Sequence, residues 1–299
     1  MNWNQAINSF KIYLQLEKSA SENTVESYLR DVGYLQHYAE GSFSPLTIEY
    51  KEIQNFLAWI TDLGLGAKTQ ARIISGLRSF FNFLILEKVI IKSPVELIES
   101  PKIGKKLPDT LSYEEIVSLM DALDMSKPES TRNKAIIETL YSCGLRVSEL
   151  VNLQLSSFYP EEGFVRVIGK GNKERLVPIG SSAIKYITIY LESVRNHQDI
   201  KPGNEDIVFL NRRGAKLTRV MIFTIIKTLC KIAGIDKNIS PHTFRHSFAS
   251  HLVDAGADLR AVQEMLGHVS ITTTEIYTHL NRDYLRSEIM SYHPSYQNK

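Results

Sequence analysis

The chain has 299 residues, 43% of them hydrophobic and 23% charged, which predicts about two globular domains and excludes a disordered or low-complexity protein. Its 35 Lys and Arg against 33 Asp and Glu give a net charge of +2, an average that by itself argues against a strongly electrostatic partner such as DNA. The sequence shows no secretory leader, no apolar run of membrane-spanning length and no spaced cysteine framework. We therefore expect a reduced, cytoplasmic protein.

The first third of the chain has helical spacing throughout. Apolar residues recur three and four positions apart in residues 25–35, 53–60 and 73–84, which predicts three or four packed helices before residue 92. We assign residues 1–98 to one helical domain. Residues 99–110 combine two prolines, a glycine and three lysines without an apolar period, so they are predicted to form an interdomain linker.

The second domain is predicted to cover residues 111–299. Ser112 followed by Glu115 is a capping-box pattern that marks the first helix. Residues 163–179 alternate apolar and polar side chains on either side of Gly-Lys-Gly-Asn, which predicts a β-hairpin with a basic tip. After residue 181 the patterns are again helical, so the fold class is mainly α with a small β-sheet in the second domain.

Motifs for ATP hydrolysis, for the zinc site of metalloproteases and for the hydrolase nucleophile elbow are absent. Pro241 suits the first turn of a helix and places His242 and Arg245 on one face of it. Such a helix start can hold a phosphate through the guanidinium and the helix dipole. His246, one turn after His242, leaves a metal pair open as an alternative, although a third ligand is missing from the motif.

A helix is predicted to end at Gly267, and the next is predicted to begin at Thr272. Thr272 as cap and Glu275 three residues on form a capping box. Tyr277 then lies in the second turn of a rigid element, where a tyrosine alone would be read as a packing residue.

Five segments taken together resemble the catalytic set of the tyrosine recombinases, the phage integrase family, and especially its Xer type. These are Tyr141-Ser-Cys-Gly-Leu-Arg146-Val-Ser-Glu-Leu, Val167-Ile-Gly-Lys170-Gly-Asn-Lys-Glu-Arg, His242-Thr-Phe-Arg245-His, Leu266-Gly-His268 and Tyr277-Thr-His. The resemblance covers essentially the whole chain. It implies a two-domain, C-shaped clamp in which a helical core-binding domain and a catalytic domain enclose DNA.

The resemblance also implies a site-specific recombinase that breaks and rejoins DNA without metal, ATP or another cofactor. Tyr277 would be the nucleophile, forming a 3′-phosphotyrosyl bond and a free 5′-hydroxyl. Arg146 and Arg245 would clamp the non-bridging phosphate oxygens, where negative charge develops.

Three further residues take roles from the same resemblance. His242 resembles the general acid/base, His268 a hydrogen-bond donor to the phosphate, and Lys170 the acid that protonates the leaving 5′-oxygen.

The charges are unevenly distributed along the chain. Residues 207–235 hold six basic residues and no acidic one, so DNA binding is predicted to depend on local clusters and on salt. The candidate contacts are Lys68, Arg72, Arg78, Lys173, Arg212 and Arg213.

The implied partners are double-stranded DNA with a dif-like site, an XerC-like recombinase in a tetrameric synapse, and an FtsK-like DNA translocase. In the family the C-terminal segment packs into a neighbouring subunit. The biological role would be the resolution of chromosome dimers. The alternatives are a mobile-element integrase, a relaxing topoisomerase with the same chemistry, or a non-catalytic DNA-binding scaffold.

Overall fold

The computed structural model describes residues 1–102, 104, 109–169, 173–267 and 279–297, with only the backbone described at residues 279–283 and 297. The chain divides into two compact units, Met1–Lys106 and Leu107–Lys299, and this boundary falls inside the segment predicted to be a linker. None of the described helices is long and apolar enough to cross a membrane.

The described part of the first unit contains four helices, where the apolar spacing predicts three or four. They are α1 Trp3–Leu16, α2 Glu22–Tyr38, α3 Tyr50–Asp62 and α4 Ala67–Leu86. Their apolar stripes meet in one core, in which Phe10 packs edge-on against Phe80 with ring centroids 5.4 Å apart. Such aromatic pairs add to the free energy that burial itself supplies.

The second unit surrounds a small sheet with helices. These helices are α5 Tyr113–Asp121, α6 Pro128–Cys143, α7 Val147–Val151, α8 Ser181–Ser193, α9 Arg219–Ile232, α10 Pro241–Ala255, α11 Leu259–Leu266, α12 His279–Tyr292 and α13 Pro294–Gln297. Ser112 caps α5 and exchanges hydrogen bonds with Glu115, which confirms the predicted capping box. The prediction of a mainly helical fold is likewise confirmed.

The predicted hairpin is present and belongs to a three-stranded antiparallel sheet. Its strands are β1 Phe158–Tyr159, β2 Phe164–Ile168 and β3 Glu174–Pro178, in the order β1-β2-β3. Val165 pairs with Val177 and Val167 with Arg175, so these four side chains share the inward face. Strand β1 is too short for its alternation to show in the sequence.

Candidate active site

Arg146 lies at the junction of two helices, where the local sequence fixes its position. Helix α6 ends at Gly144, which adopts the left-handed conformation with φ +56°. A Cβ at this glycine would lie 2.6 Å from the ring of Phe248, so both the turn and the close approach require glycine. Arg146 is the N-cap residue of α7, and Glu149 accepts hydrogen bonds from its backbone N–H and its guanidinium, both at 2.8 Å. The guanidinium also donates to the carbonyl of Gly267 at 3.3 Å.

Arg245 extends from α10 toward the same turn. Pro241 is the first residue of that helix, as predicted. The Arg245 guanidinium donates to the carbonyl of Gly144 at 2.8 Å and to that of Leu266, and the residue is 8% exposed. Burial, followed by the charge of Arg146, lowers the pKa of Arg245 to about 10. Arg245 therefore stays cationic at neutral pH, and the two predicted phosphate-binding arginines lie together.

His242 is exposed one turn before Arg245 on the same face of α10. This places the imidazole on the same face of the helix as the guanidinium. His246 is also exposed. Among the described residues, no group of three or more metal-ligating side chains forms around this histidine pair.

The other three predicted catalytic residues, Lys170, His268 and Tyr277, lie outside the described residues, as does the helix start predicted at Thr272. Their roles stay predictions. The described chain reaches Gly267, which ends α11 in the left-handed conformation with φ +64°, as the sequence predicts.

Two further charged residues belong to the site and are missing from the predicted set. Glu149 is 4% exposed and Arg175 is 7% exposed, and they form a bidentate ion pair at 2.8 and 2.9 Å. Burial alone would raise the pKa of Glu149, but the bonds from Arg175 and Arg146 outweigh it and hold that pKa below its usual range. The sequence signal that could have identified Arg175 is the alternation of side chains along β3, which places Arg175 on the same inward face as Val177.

The charges of this cluster do not balance. Within the described part of the site, three guanidinium groups, those of Arg146, Arg175 and Arg245, face the single carboxylate of Glu149. An excess of positive charge in a partly buried position favours an anion such as a phosphodiester.

The basic side chains predicted to contact DNA in the second unit are exposed. Arg212 and Arg213 lie at the tip of a tight turn between Leu210 and Lys216. Asn211 fixes this turn, since its Oδ1 accepts from the Arg213 backbone N–H at 2.8 Å. Both arginines are therefore presented on a short, hydrogen-bonded support.

Lys173 is exposed immediately before β3. Its backbone carbonyl accepts from the Gly169 N–H at 2.8 Å, which joins the two arms of the hairpin below its tip. The exposed ammonium is therefore attached to a fixed part of the hairpin, and its contact with DNA stays a prediction.

The three candidates of the first unit differ from one another. Lys68 is exposed. Arg72 instead pairs with the fully buried carboxylate of Asp31, and Arg78 donates to the carbonyl of Ile98. The guanidinium groups of Arg72 and Arg78 therefore have partners inside the first unit, which a contact with DNA alone would not require. Their contact with DNA stays a prediction.

The C-terminal segment packs against its own unit. His293 is 0% exposed, with its ring centroid 4.5 Å from that of Tyr141 and 5.4 Å from that of Phe248. Tyr296 lies against Gly180, where an added Cβ would come within 2.8 Å of the phenol ring. Residues 293–296, which the sequence does not place, are therefore docked on α6, α10 and the start of α8 in this chain.

Comparison with known proteins agrees with this geometry. Residues 109–283 match the phage integrase family and residues 7–88 the phage integrase N-terminal SAM-like domain. A curated relative named tyrosine recombinase XerD, from Chlorobaculum tepidum, is 44% identical over 98% of this chain and 97% of its own. The protein of the same name from Staphylococcus aureus strain Mu50 is 44% identical over 96% of this chain and 98% of its own.

Solved structures show the same architecture. XerH site-specific recombinase bound to its difH substrate superposes with a TM-score of 0.68 at 25% identity, covering 85% of this chain and 76% of that one. The Tn1549 transposon integrase in complex with circular intermediate DNA gives a TM-score of 0.71 at 20% identity, covering 97% and 99%; at that identity it shows the fold alone. The chain belongs to the phage integrase family. It is a tyrosine recombinase, an enzyme that breaks and rejoins DNA at specific sites.

Proposed function

We propose that this recombinase resolves chromosome dimers in the cytoplasm. It would act at a dif-like site, in a tetramer with an XerC-like partner and under an FtsK-like translocase. The observation that carries the proposal is the arginine pair: Arg146 donates to the carbonyl of Gly267, and Arg245 donates to those of Gly144 and Leu266. The relatives named tyrosine recombinase XerD, each aligned over nearly its full length, support a recombinase of this type.

The two arginines would hold the scissile phosphate and stabilise its transition state. A phosphodiester carries one negative charge, and more charge develops on its non-bridging oxygens as a nucleophile attacks. The guanidinium groups are already bound to backbone carbonyls, so they need little reorganisation when the phosphate arrives. They supply in this way the positive charge that phosphoryl transfer requires.

The reaction would proceed by two transesterifications. The Tyr277 oxygen attacks phosphorus while the bond to the 5′-oxygen breaks, and Lys170 protonates the leaving oxygen. His242 would take the tyrosine proton, and His268 would donate a hydrogen bond to the phosphate. The phosphotyrosyl bond retains the energy of the original linkage, so a 5′-hydroxyl from another strand can reseal the DNA without a nucleotide cofactor.

A nicked suicide substrate tests the chemistry once the site has been mapped by footprinting on chromosomal DNA. The wild-type enzyme should accumulate a covalent protein–DNA adduct, and Tyr277→Phe should form none. Tyr284→Phe is the matched control, because Tyr284 is an exposed tyrosine on α12. An adduct formed by Tyr277→Phe, or no adduct from the wild-type enzyme with its partner present, would contradict the assignment. A footprint at the ends of a mobile element would favour an integrase instead.

The turn that carries Arg212 and Arg213 would form part of the DNA interface. Each phosphate contact that is lost should reduce the slope of log affinity against log salt by about 0.9. The double change Arg212→Glu with Arg213→Glu should therefore weaken binding and lower this slope by about 2. Lys185→Glu, a charge reversal at an exposed position of α8, serves as the control. An unchanged slope in the double variant would put the DNA path elsewhere.

A further inference from the structure

One buried guanidinium joins three separate segments of the second unit. Arg175, on β3, donates through its two terminal nitrogens to the two oxygens of Glu149 at 2.8 and 2.9 Å, and through Nε to the carbonyl of Met265 at 2.9 Å. It is 7% exposed, so all three bonds form away from bulk water. A guanidinium that donates to a carboxylate and a carbonyl together is held in one orientation.

The carboxylate that Arg175 holds also positions Arg146. Glu149 Oε1 accepts from the Arg146 side chain at 2.8 Å, and Oε2 accepts from the Arg146 backbone N–H at 2.8 Å. Each carboxylate oxygen is therefore shared between the two arginines. A displacement of Glu149 would shift the Arg146 guanidinium with it.

The backbone of the α11 end is held in the same way. Three consecutive carbonyls, at residues 265, 266 and 267, each accept from a different arginine: Arg175, Arg245 and Arg146. The bond to Met265 thus fixes the segment to which the two phosphate-binding arginines attach. Gly267 lies directly over Arg175, since a Cβ on it would come within 3.1 Å of the arginine Cδ and Nε.

We propose that Arg175 is a positioning residue for the recombination reaction: through Glu149 and the 265–267 carbonyls it sets the distance between the guanidinium groups of Arg146 and Arg245. The inference rests on the proposed phosphate-binding role of those two residues. Lysine at this position would keep the charge but could not bind both carboxylate oxygens and a carbonyl in one plane. Charge and geometry can therefore be separated by Arg175→Lys.

The test compares Arg175→Lys and Arg175→Gln with the wild-type enzyme on the nicked substrate. A displacement of about 1 Å in a catalytic group costs on the order of 10²-fold in rate. We expect Arg175→Lys to cleave about 10²-fold more slowly at saturating DNA, while its DNA affinity stays within about threefold. Arg195→Lys is the matched control, because Arg195 is 4% exposed and its guanidinium donates to the backbone carbonyls of Ile207 and Glu205, at 3.0 and 2.5 Å.

A second variant keeps the test decisive where substitution of Arg175 lowers the yield of folded protein. Glu149→Gln leaves the arginine in place and should slow cleavage comparably. The double variant Arg175→Lys with Glu149→Gln should be no slower than the slower single variant, because both changes break one chain of contacts. Fully multiplicative losses would overturn the inference.

A further readout needs neither cleavage nor a known DNA site. Inorganic sulfate should raise the midpoint of thermal unfolding of the wild-type enzyme and of Arg195→Lys, because it occupies the arginine pair. For Arg175→Lys we expect less than half of that shift. The positioning role would be refuted if sulfate raised the unfolding midpoint of Arg175→Lys as much as that of the wild type, or if Arg175→Lys cleaved within about threefold of the wild-type rate. Failure of the wild-type enzyme to cleave would count against the proposed function alone.

Discussion

Acidification should release the docked C-terminal segment, because it introduces a charge on a buried histidine. The His293 ring is surrounded by Tyr141, Phe248 and Tyr296. Its Nδ1 accepts from the Ser295 N–H at 3.3 Å, and its Nε2 has no hydrogen-bond partner among the described residues. Burial lowers the pKa of His293 to about 3. An imidazolium at this position would be charged, and none of the described residues forms an ion pair with it.

The size of the effect follows from the difference between the two pKa values. A released His293 would titrate near 6.5 and the docked one near 3, so the released form binds more protons between these values. Docking is therefore at full strength above pH 6.5 and weakens as the pH falls toward 3. At pH 5 the loss amounts to about 2 kcal/mol, or roughly 30-fold in the docking equilibrium.

Hydrogen exchange of the C-terminal peptide measures this equilibrium. After correction for the intrinsic exchange rate, protection of residues 292–296 should fall by roughly 30-fold between pH 7.5 and pH 5. His293→Phe fills similar space without a titrating group, so its protection should stay constant over the same range. Equal protection of the wild-type segment at both pH values, or an equal loss in the phenylalanine variant, would refute the reasoning.

Two predictions concern the supports of the fold. Gly144→Ala should destabilise the chain by about 3 kcal/mol in calorimetry, through both the left-handed backbone and the overlap with a phenylalanine ring. Gly163 is also left-handed, but a Cβ there would have its nearest neighbour at 3.6 Å, so Gly163→Ala should lower the stability by only about 1–2 kcal/mol. Equal losses in the two alanine variants would show that the overlap with the phenylalanine ring does not matter. Arg72→Ala should lower the stability of the first unit by about 3 kcal/mol, because it leaves Asp31 buried without its cation. Both tryptophans lie in residues 1–106, so their fluorescence during urea unfolding reports on the stability of that unit. The double variant Arg72→Ala with Asp31→Asn should recover part of the lost stability. If it recovers none, the pairing of Arg72 with Asp31 is contradicted.

Much of this architecture could be predicted because its causes are local in the chain. The apolar spacing of the first third, the capping box at Ser112 and the alternation around the hairpin each depend on neighbours within a few residues. The helix end at Gly267 depends on the conformational freedom of a single residue. The motif residues Arg146 and Arg245 were found for the same reason, since their surroundings in the sequence carry the resemblance.

The contacts of the site, by contrast, join residues that are far apart in sequence. Arg175 binds a carbonyl 90 residues away, and Arg146 binds one 121 residues away. Arg72, read from sequence as a surface cation, pairs with a carboxylate 41 residues before it. Whether an arginine faces DNA or a buried partner depends on which acceptors the packing brings to it, and spacing along one helix does not contain that information.

The sequence by itself therefore determined the helical character of the first unit, the hairpin and the family, and it predicted the arginines of the phosphate site. Only the tertiary structure decided how the arginines of the site are held. Arg146, Arg175 and Arg245 donate to three consecutive carbonyls, and the first two share the carboxylate of Glu149. The tertiary structure also decided that His293 of the polar tail is buried. The physical reason is that helices, turns and caps are stabilised by local hydrogen bonds, whereas a buried charge is stable only where distant segments supply its partners.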